Sequence, residues 1–241
     1  MTHLHCTLTQ TLTSGATAVV LLAGLGIAAT PQAEAAQLSC TATSVCTLSE
    51  LLEDDNFLVV GDKKFSDFDY SILGGNAPAP EEISVFGEIS EGVFSIAFTG
   101  LFLAEPGEQT NALLSHTVEI LKPNARFKEV ALSANPQGPF AGITEKVFDP
   151  NDVEVAQLEV NTDNIPSTLF DMEDISELQL KKIRVEKELD LDGVGGNTAS
   201  FSIFRQSYTQ VDIPEPASVL GLLAVGGLGV ALKRKRAESL S

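Results

Sequence analysis

The chain is poor in the residue types on which many binding and catalytic sites depend. It contains no Trp, two Tyr, three Cys and three His in 241 residues. The shortage of Trp and Tyr disfavours a lectin, because sugars commonly stack on such rings. Only one histidine, His116, follows residue 36, which leaves little for a Cys/His zinc site or a Ser-His-Asp triad. No Gly-x-Ser-x-Gly elbow occurs either, so we do not expect an enzyme.

Basic residues are also few, and they are unevenly placed. The chain has 15 Lys and Arg against 33 Asp and Glu, a formal net charge of −18. Four of the basic residues stand together at positions 233–236, so the stretch 36–212 holds 11 basic and 30 acidic residues. Such a domain repels nucleic acid and other anionic surfaces. Solubility is the simplest reason for the charge, and binding of divalent cations or basic partners is the alternative.

The C-terminal segment has three parts in a fixed order. They are Pro214-Glu215-Pro216, an uncharged run over 217–232, and the basic cluster Lys233, Arg234, Lys235 and Arg236. As a helix the uncharged run spans about 24 Å, slightly less than the bilayer core of about 30 Å. The cations after it favour the cytoplasmic side, and the prolines keep the preceding junction extended. The alternative, a core helix of a soluble protein, is disfavoured because the run has no polar face.

The N-terminal segment is typical of a secretory signal peptide. Residues 16–29 are apolar, and Ala33-Glu34-Ala35 has the form of a cleavage site. Residues 1–15 lack Lys and Arg, which is unusual for such a signal. We predict that the mature chain begins near Ala36, and an uncleaved N-terminal anchor is the alternative.

The order of Pro-Glu-Pro, short apolar run and basic cluster resembles the PEP-CTERM sorting signal of exported bacterial proteins. The resemblance implies processing near Pro214-Glu215-Pro216 by an exosortase, and an association with exopolysaccharide, biofilm or the cell surface. A second stretch resembles the start of PEP-CTERM proteins common in cyanobacteria. It consists of Val60, Gly61, Asp62, Lys63, Phe65, Ser66, Phe68 and Tyr70.

Together these signals predict four segments. They are a signal peptide over 1–35, an acidic exported domain over 36–212, a sorting signal over 213–236 with a transmembrane helix over 217–232, and a cytoplasmic tail over 237–241. The protein would be exported and anchored, transiently or permanently, in the cytoplasmic membrane, and then reach the cell surface or the extracellular matrix. The expected partners are an exosortase, the inner membrane and matrix components such as exopolysaccharide.

The exported domain consists of short alternating runs separated by Pro and Gly turns. In one such run Phe94, Ile96 and Phe98 share a face. Thr47 and Glu50 form a capping-box pattern, which predicts a helix from Leu48 to about residue 54. We predict an antiparallel β-sandwich, jelly-roll-like, with that one short helix at its N-terminal end. A change of apolar parity between residues 180 and 183 predicts a β-bulge.

Few residues of this domain point to a specific site. Cys40 and Cys46 are predicted to form a disulfide, because the exported compartment is oxidising. Asp190 and Asp192 precede a glycine as in the start of a calcium loop, although the later ligands of such a loop are missing. The acidic segments 149–154 and 171–174 are further candidates for calcium. His116 lies on the apolar face of its strand and is predicted to be a core residue.

The sequence therefore predicts the cellular location of the protein more clearly than its activity. We expect a structural or adhesive protein of the cell surface or extracellular matrix. A calcium-stabilised ligand-binding module is the first alternative. A secreted hydrolase is the second, since 30 acidic residues guarantee pairs of carboxylates without identifying one.

Overall fold

The computed structural model describes residues 45–163 and 167–214, and the backbone of residues 39–41. The chain divides into two units, Met1–Ala36 and Gln37–Ser241, and every described residue belongs to the second. The described residues of that unit form strands with very little helix, which confirms the predicted all-β class.

The strands are numbered in chain order. They are β1 Ser39–Thr41, β2 Cys46–Thr47, β3 Phe57–Val60, β4 Lys63–Gly74, β5 Ser84–Ser90, β6 Val93–Ala104, β7 Gln109–Ile120, β8 Ala125–Ala134, β9 Ala141–Phe148, β10 Glu154–Asn161, β11 Phe170–Asp174, β12 Lys182–Asp192 and β13 Ala199–Asp212. The other elements are a helix, α1 Leu48–Leu51, and two 3-10 turns, Pro80–Glu82 and Ser176–Leu178.

The described strands form two sheets, which confirms the predicted antiparallel β-sandwich. The first sheet has seven strands in the order β1-β3-β4-β7-β12-β9-β10, and the second has six in the order β11-β8-β13-β6-β5-β2. Among the described strands, β1 with β3 is the one parallel pair.

Alternation along the strands places every second side chain in the core. In β12 the odd-numbered residues from Ile183 to Leu191 are buried, and the even-numbered ones face outwards. In β13 a register shift between Phe201 and Ile203 moves the buried face to even-numbered residues. The rings of Phe98 and Phe204 stack with centroids 4.9 Å apart. Full burial of each such side chain stabilises the fold by about 1.5–3 kcal/mol.

The short helix begins as predicted but ends early. Thr47 Oγ1 accepts a hydrogen bond from the Glu50 backbone N–H at 3.3 Å, and Glu50 Oε2 accepts one from the Thr47 backbone N–H at 2.8 Å. These two bonds confirm the capping box. The predicted end near residue 54 is wrong, because α1 ends at Leu51. Three acidic residues follow at 53–55, where negative charge is unfavourable at a helix C-terminus.

Two strands of five or more residues, β9 and β11, were not predicted from the sequence. In β9 the inward face includes the charged residue Glu145 between Ile143 and Val147, which obscures the alternation. The acidic segment Asp171–Asp174, a candidate for calcium in the sequence, lies in β11, where it pairs with β8 at the edge of the second sheet.

The predicted bulge near residue 180 is also wrong. The strand β12 begins only at Lys182, after the 3-10 turn Ser176–Leu178. Gln179 ends that turn in the left-handed region with a φ of 54°. The change of parity therefore marks where a strand starts.

Candidate functional site

The described part of the chain ends next to the predicted sorting signal. Strand β13 runs to Asp212, whose carboxylate lies 2.6 Å from Lys122 Nζ. The Ile213 backbone N–H donates to the Asn124 carbonyl at 2.6 Å, and Pro214 is exposed. The domain thus holds the chain up to the residue where the signal begins. Glu215, Pro216, the run 217–232 and the basic cluster 233–236 lie outside the described residues, as does the predicted signal peptide 1–35.

Cys46 is buried and forms a disulfide. The side chain of Cys40 lies outside the described residues, so the pairing of Cys40 with Cys46 stays a prediction.

A cleft of about 210 Å³ lies on the outer face of the first sheet. Its walls are the ends of β7, β9, β10 and β12 together with the loop residues Phe140 and Asp163. The lining residues are Gln109, Phe140, Gly142, Ile143, Thr144, Glu159, Asn161, Asp163, Asp190 and Asp192. This volume is below the roughly 300–1,000 Å³ typical of pockets for drug-sized molecules. It suits a small polar ligand, or one unit of a longer chain that runs past.

Asp190 and Asp192 reach this cleft as neighbours on one face of β12. They are strand residues and do not form the turn of a calcium loop. Gly142 lies directly opposite Asp190 in the β9 register. The Gln109 side-chain amide donates to Asp192 Oδ2 at 3.0 Å.

The cleft is electrostatically negative. Four carboxylates line it: those of Glu159, Asp163, Asp190 and Asp192. Partial burial raises the pKa of Asp190, and the negative charges of Glu188, Asp192 and Asp163 raise it further. An anionic ligand would meet this repulsion, so the cleft favours an uncharged or cationic one.

Phe140 supplies an apolar surface at the edge of the cleft. Its side chain is 51% exposed, and its backbone has a φ of 50°. The Asp192 backbone N–H donates to the Phe140 carbonyl at 2.9 Å, which fixes the loop against the end of β12. A bulky residue in the left-handed region is strained by about 1–3 kcal/mol. Such strain is often found at binding sites, where the position of the side chain is maintained although the backbone conformation is unfavourable.

The described residues contain no group of three or more His, Cys, Asp or Glu side chains able to hold a metal ion. In the acidic turn at 149–154, Asp149 Oδ1 instead accepts hydrogen bonds from the backbone N–H groups of Asn151 and Val153 at 2.8 and 3.0 Å. These bonds lower the pKa of Asp149. The Asp149 carboxylate therefore stabilises this turn through hydrogen bonds to its backbone. Calcium binding at Asp190 and Asp192 stays a prediction.

A second group of polar side chains lies in the core. His116 on β7 is buried, as predicted, and its Nε2 lies 3.2 Å from the Tyr208 hydroxyl on β13. Close by, Lys187 on β12 contacts Glu145 on β9 and Gln206 on β13. The sequence pattern indicates a core position for His116 but does not indicate one for Lys187, Glu145 or Gln206. Each of these residues is charged or carries an amide, and each occupies an inward-facing position in a strand whose other inward-facing residues are apolar. This pattern is the one feature of the sequence that could have indicated them.

Phe140 and the polar lining of the cleft were missed for a different reason. Gln109 lies on β7, Thr144 on β9, and Glu159 and Asn161 on β10. The strands β9 and β10 are consecutive, but β7 and β12 come to the same face only through the sheet order β7-β12-β9-β10. A single sequence gives no sign of that adjacency.

Solved structures similar to this fold include carbohydrate-binding modules. TmCBM61, solved in complex with β-1,4-galactotriose, is 15% identical, with 61% of this chain and 89% of that chain covered and a TM-score of 0.35. TmCBM27, described for specific mannan recognition, is 11% identical, with 69% and 95% covered and a TM-score of 0.31. A DUF4465 family protein from Bacteroides caccae is 10% identical, with 60% and 92% covered and a TM-score of 0.27. These likenesses concern the β-sandwich fold alone.

No curated protein matches the chain. A model of the PEP-CTERM protein-sorting motif matches residues 212–236. The molecule is thus a β-sandwich protein with a C-terminal sorting motif. This match confirms the resemblance of the C-terminal segment to a PEP-CTERM sorting signal, and the motif indicates export and processing by an exosortase. In the described part of the chain, no helix is long and apolar enough to cross a membrane.

Proposed function

We propose that this protein is an adhesive component of the cell surface or extracellular matrix, which its β-sandwich domain attaches to exopolysaccharide. The sorting motif at 212–236 supports the location. The protein is first held in the cytoplasmic membrane through 217–232, and an exosortase then acts near Pro214-Glu215-Pro216. No catalytic role is assigned to the domain.

The cleft on the first sheet is the proposed binding site, and the exposed ring of Phe140 carries the proposal. An aromatic face can pack on the C–H face of a sugar ring. Around it, the carboxylates of Asp190 and Glu159 accept hydrogen bonds from hydroxyl groups, and the Asn161 and Gln109 amides both donate and accept. An apolar platform ringed by a few polar groups is the usual composition of a small-ligand site.

The charge of the cleft defines the class of polysaccharide. Its carboxylates disfavour sugars that carry uronic acid, sulfate or phosphate groups. The proposed ligand is therefore a neutral or amino-bearing chain. Retention in a matrix needs only weak sites, because many copies acting on one polymer raise the overall avidity.

Affinity electrophoresis tests this proposal. The protein is run through gels that contain the neutral or the acidic fraction of the host's matrix polysaccharide, separated by anion exchange. We expect the neutral fraction to retard the wild type, and Phe140→Ala to weaken binding about tenfold, the loss of one ring contact. Phe170→Ala is the matched control, since Phe170 is 59% exposed on β11 of the other sheet. Absence of retardation, or an equal loss in both variants, would overturn the proposal.

A calcium-stabilised module remains the second candidate, supported by the mutual repulsion of the carboxylates around Asp190. A cation there would relieve the repulsion. Calcium should then raise the melting temperature of the wild type but not of Asp190→Asn, and no shift in the wild type would remove this candidate. A hydrolase is the weakest candidate, and its test is polysaccharide cleavage that disappears when Asp190 or Glu159 is changed to its amide.

A further inference from the structure

An amine, a carboxyl group and a carboxamide meet in the core. Lys187, Glu145 and Gln206 are each 0% exposed. Lys187 Nζ lies 2.5 Å from Glu145 Oε2 and 2.8 Å from Gln206 Oε1. Lys187 and Glu145 are direct cross-strand partners in the first sheet, while Gln206 belongs to the second. The three side chains therefore join both layers of the sandwich at one point.

The hydrogen bonding of this triad is incomplete. Among the described residues, neither Gln206 Nε2 nor Glu145 Oε1 makes a well-formed hydrogen bond. Buried polar groups nearly always have such partners, and a missing one requires an explanation. Here the two atoms without a well-formed hydrogen bond are the amide nitrogen of Gln206 and the second oxygen of the adjacent acid, and the remaining interaction of Gln206 with Glu145 lowers the pKa of that acid.

The triad is fully buried, and the aromatic core around Tyr208 and His116 lies beside it. Tyr208, two residues from Gln206, packs its ring 5.8 Å from Phe65 and 5.6 Å from Phe127. His116 stacks on Phe68 with centroids 5.6 Å apart. Water cannot reach Lys187 to hydrate an ammonium ion, nor reach Gln206 to hydrolyse it.

Burial also favours the uncharged forms of the reacting groups. It lowers the pKa of the Lys187 ammonium group, although the Glu145 charge opposes this effect. It raises the pKa of the Glu145 carboxyl group, while the Lys187 charge and the hydrogen bonds from Lys187 and Gln206 oppose that rise. A neutral amine is a nucleophile, and a neutral carboxylic acid can donate a proton.

We propose that Lys187 and Gln206 form an intramolecular isopeptide bond, with Glu145 as the proton carrier. The Lys187 amine attacks Cδ of Gln206, and the C–N bond to Nε2 breaks as the new amide bond forms. Glu145 takes a proton from Nζ and delivers one to Nε2, which leaves as ammonia. Glu145 ends unchanged, and the reaction consumes no oxidant or other co-reactant. Loss of ammonia from the core makes the step irreversible.

The bond would connect β12 to β13 and so lock the first sheet to the second. A covalent link between the layers limits the unfolded chain much as a disulfide does, and no reductant can break it. An adhesive protein outside the cell, where refolding is not assisted, benefits from such a link.

The molecule contains its own comparison site. Lys63 is also fully buried, lies 2.5 Å from Asp62 Oδ1 and contacts Gln210 Oε1. The Asp62 side chain, however, is 24% exposed, and its Oδ2 accepts a hydrogen bond from Gln210 Nε2 at 2.9 Å. Burial raises the pKa of Asp62, but the hydrogen bonds from Lys63 and Gln210 outweigh it, and the pKa is lowered. Because the Asp62 carboxyl group is charged and Gln210 Nε2 is hydrogen-bonded, we expect no covalent bond between Lys63 and Gln210.

Peptide mapping of the wild-type protein, expressed as the full chain, tests the proposal. After reduction and trypsin digestion we expect a branched peptide that joins residues 185–205, uncleaved at Lys187, to the peptide beginning at Gln206. Its mass should be the sum of the two minus one ammonia, and no such product should occur at Lys63. Unmodified peptides at both Lys187 and Gln206 from the folded protein would overturn the proposal. So would a product that joins Lys187 to residues 129–146 with loss of water, or a link at Lys63.

Variants identify the role of each group. Lys187→Met and Glu145→Gln should both lack the branched peptide, the second because it keeps amine and amide but loses the proton carrier. Lys63→Met is the matched control and should keep the link. A branched peptide at wild-type yield in Glu145→Gln would exclude Glu145 as the carrier.

Discussion

Nε2 of His116 and the hydroxyl of Tyr208 lie 3.2 Å apart and join the two sheets through the core. His116 belongs to β7 and Tyr208 to β13, so this contact crosses from one layer to the other. Among the described residues Nδ1 of His116 has no hydrogen-bond partner. A protonated imidazole ring would need a hydrogen-bond acceptor at both nitrogens, and this site provides a partner for Nε2 alone.

Stability should therefore fall on mild acidification. Burial lowers the pKa of His116 well below its usual value of 6.5. In the unfolded chain the ring binds a proton below about pH 6.5, while the folded protein excludes it. The contribution of His116 is thus fully present above that pH and lost as the pH falls, by about 1.4 kcal/mol per pH unit.

Denaturant unfolding between about pH 7 and pH 5 measures this dependence. The control is His116→Phe, which keeps an aromatic ring against Phe68 and Phe98 but cannot titrate. Its curve of unfolding free energy against pH should be flatter than that of the wild type. Parallel curves would show that His116 does not titrate on unfolding.

The backbone strain at Phe140 allows the effect of this residue on stability to be measured separately from its effect on polysaccharide binding. Its φ of 50° is easy for glycine and unfavourable for residues with a Cβ atom. We expect Phe140→Gly to be more stable than Phe140→Ala by about 1 kcal/mol, while both lose polysaccharide binding. Thermal unfolding and affinity electrophoresis of the two variants give both quantities. An alanine variant at least as stable as the glycine variant would show that the loop relaxes and holds no strain.

The disulfide of Cys46 gives a prediction about its partner. If Cys40 closes the short loop to Cys46, loss of the bond should cost about 2 kcal/mol. Cys40→Ser, Cys46→Ser and the double variant should then be equally destabilised in denaturant unfolding. Additive losses, or no effect of Cys40→Ser, would mean that Cys46 has a different partner.

Local patterns predicted most of the fold, because each needs only neighbouring residues. The capping box at Thr47 and Glu50 and the shared face of Phe94, Ile96 and Phe98 are of this kind. Strand β9 was not predicted because Glu145 interrupts its apolar face. The hydrogen bond from Lys187 on the neighbouring strand compensates for the burial of the Glu145 carboxyl group. The sequence shows both residues but not that they face each other.

The functional features divide in the same way. The sorting signal is a continuous segment whose three parts are read in order, and the family model matches it at 212–236. The cleft and the core triad bring together side chains from strands far apart in the sequence. Their composition, with one exposed phenylalanine and several common polar residues, has no signature in a single chain.

The mass of the mature protein recovered from the cell surface tests the central claim, that this is an exported exosortase substrate. The wild type is compared with a variant in which Pro214, Glu215 and Pro216 are all alanine. We expect the wild-type mass to lack the segment after the processing point, while the variant keeps residues through Ser241 and stays in the membrane. Retention of the complete tail in both would contradict it and would make the C-terminal segment a lasting anchor.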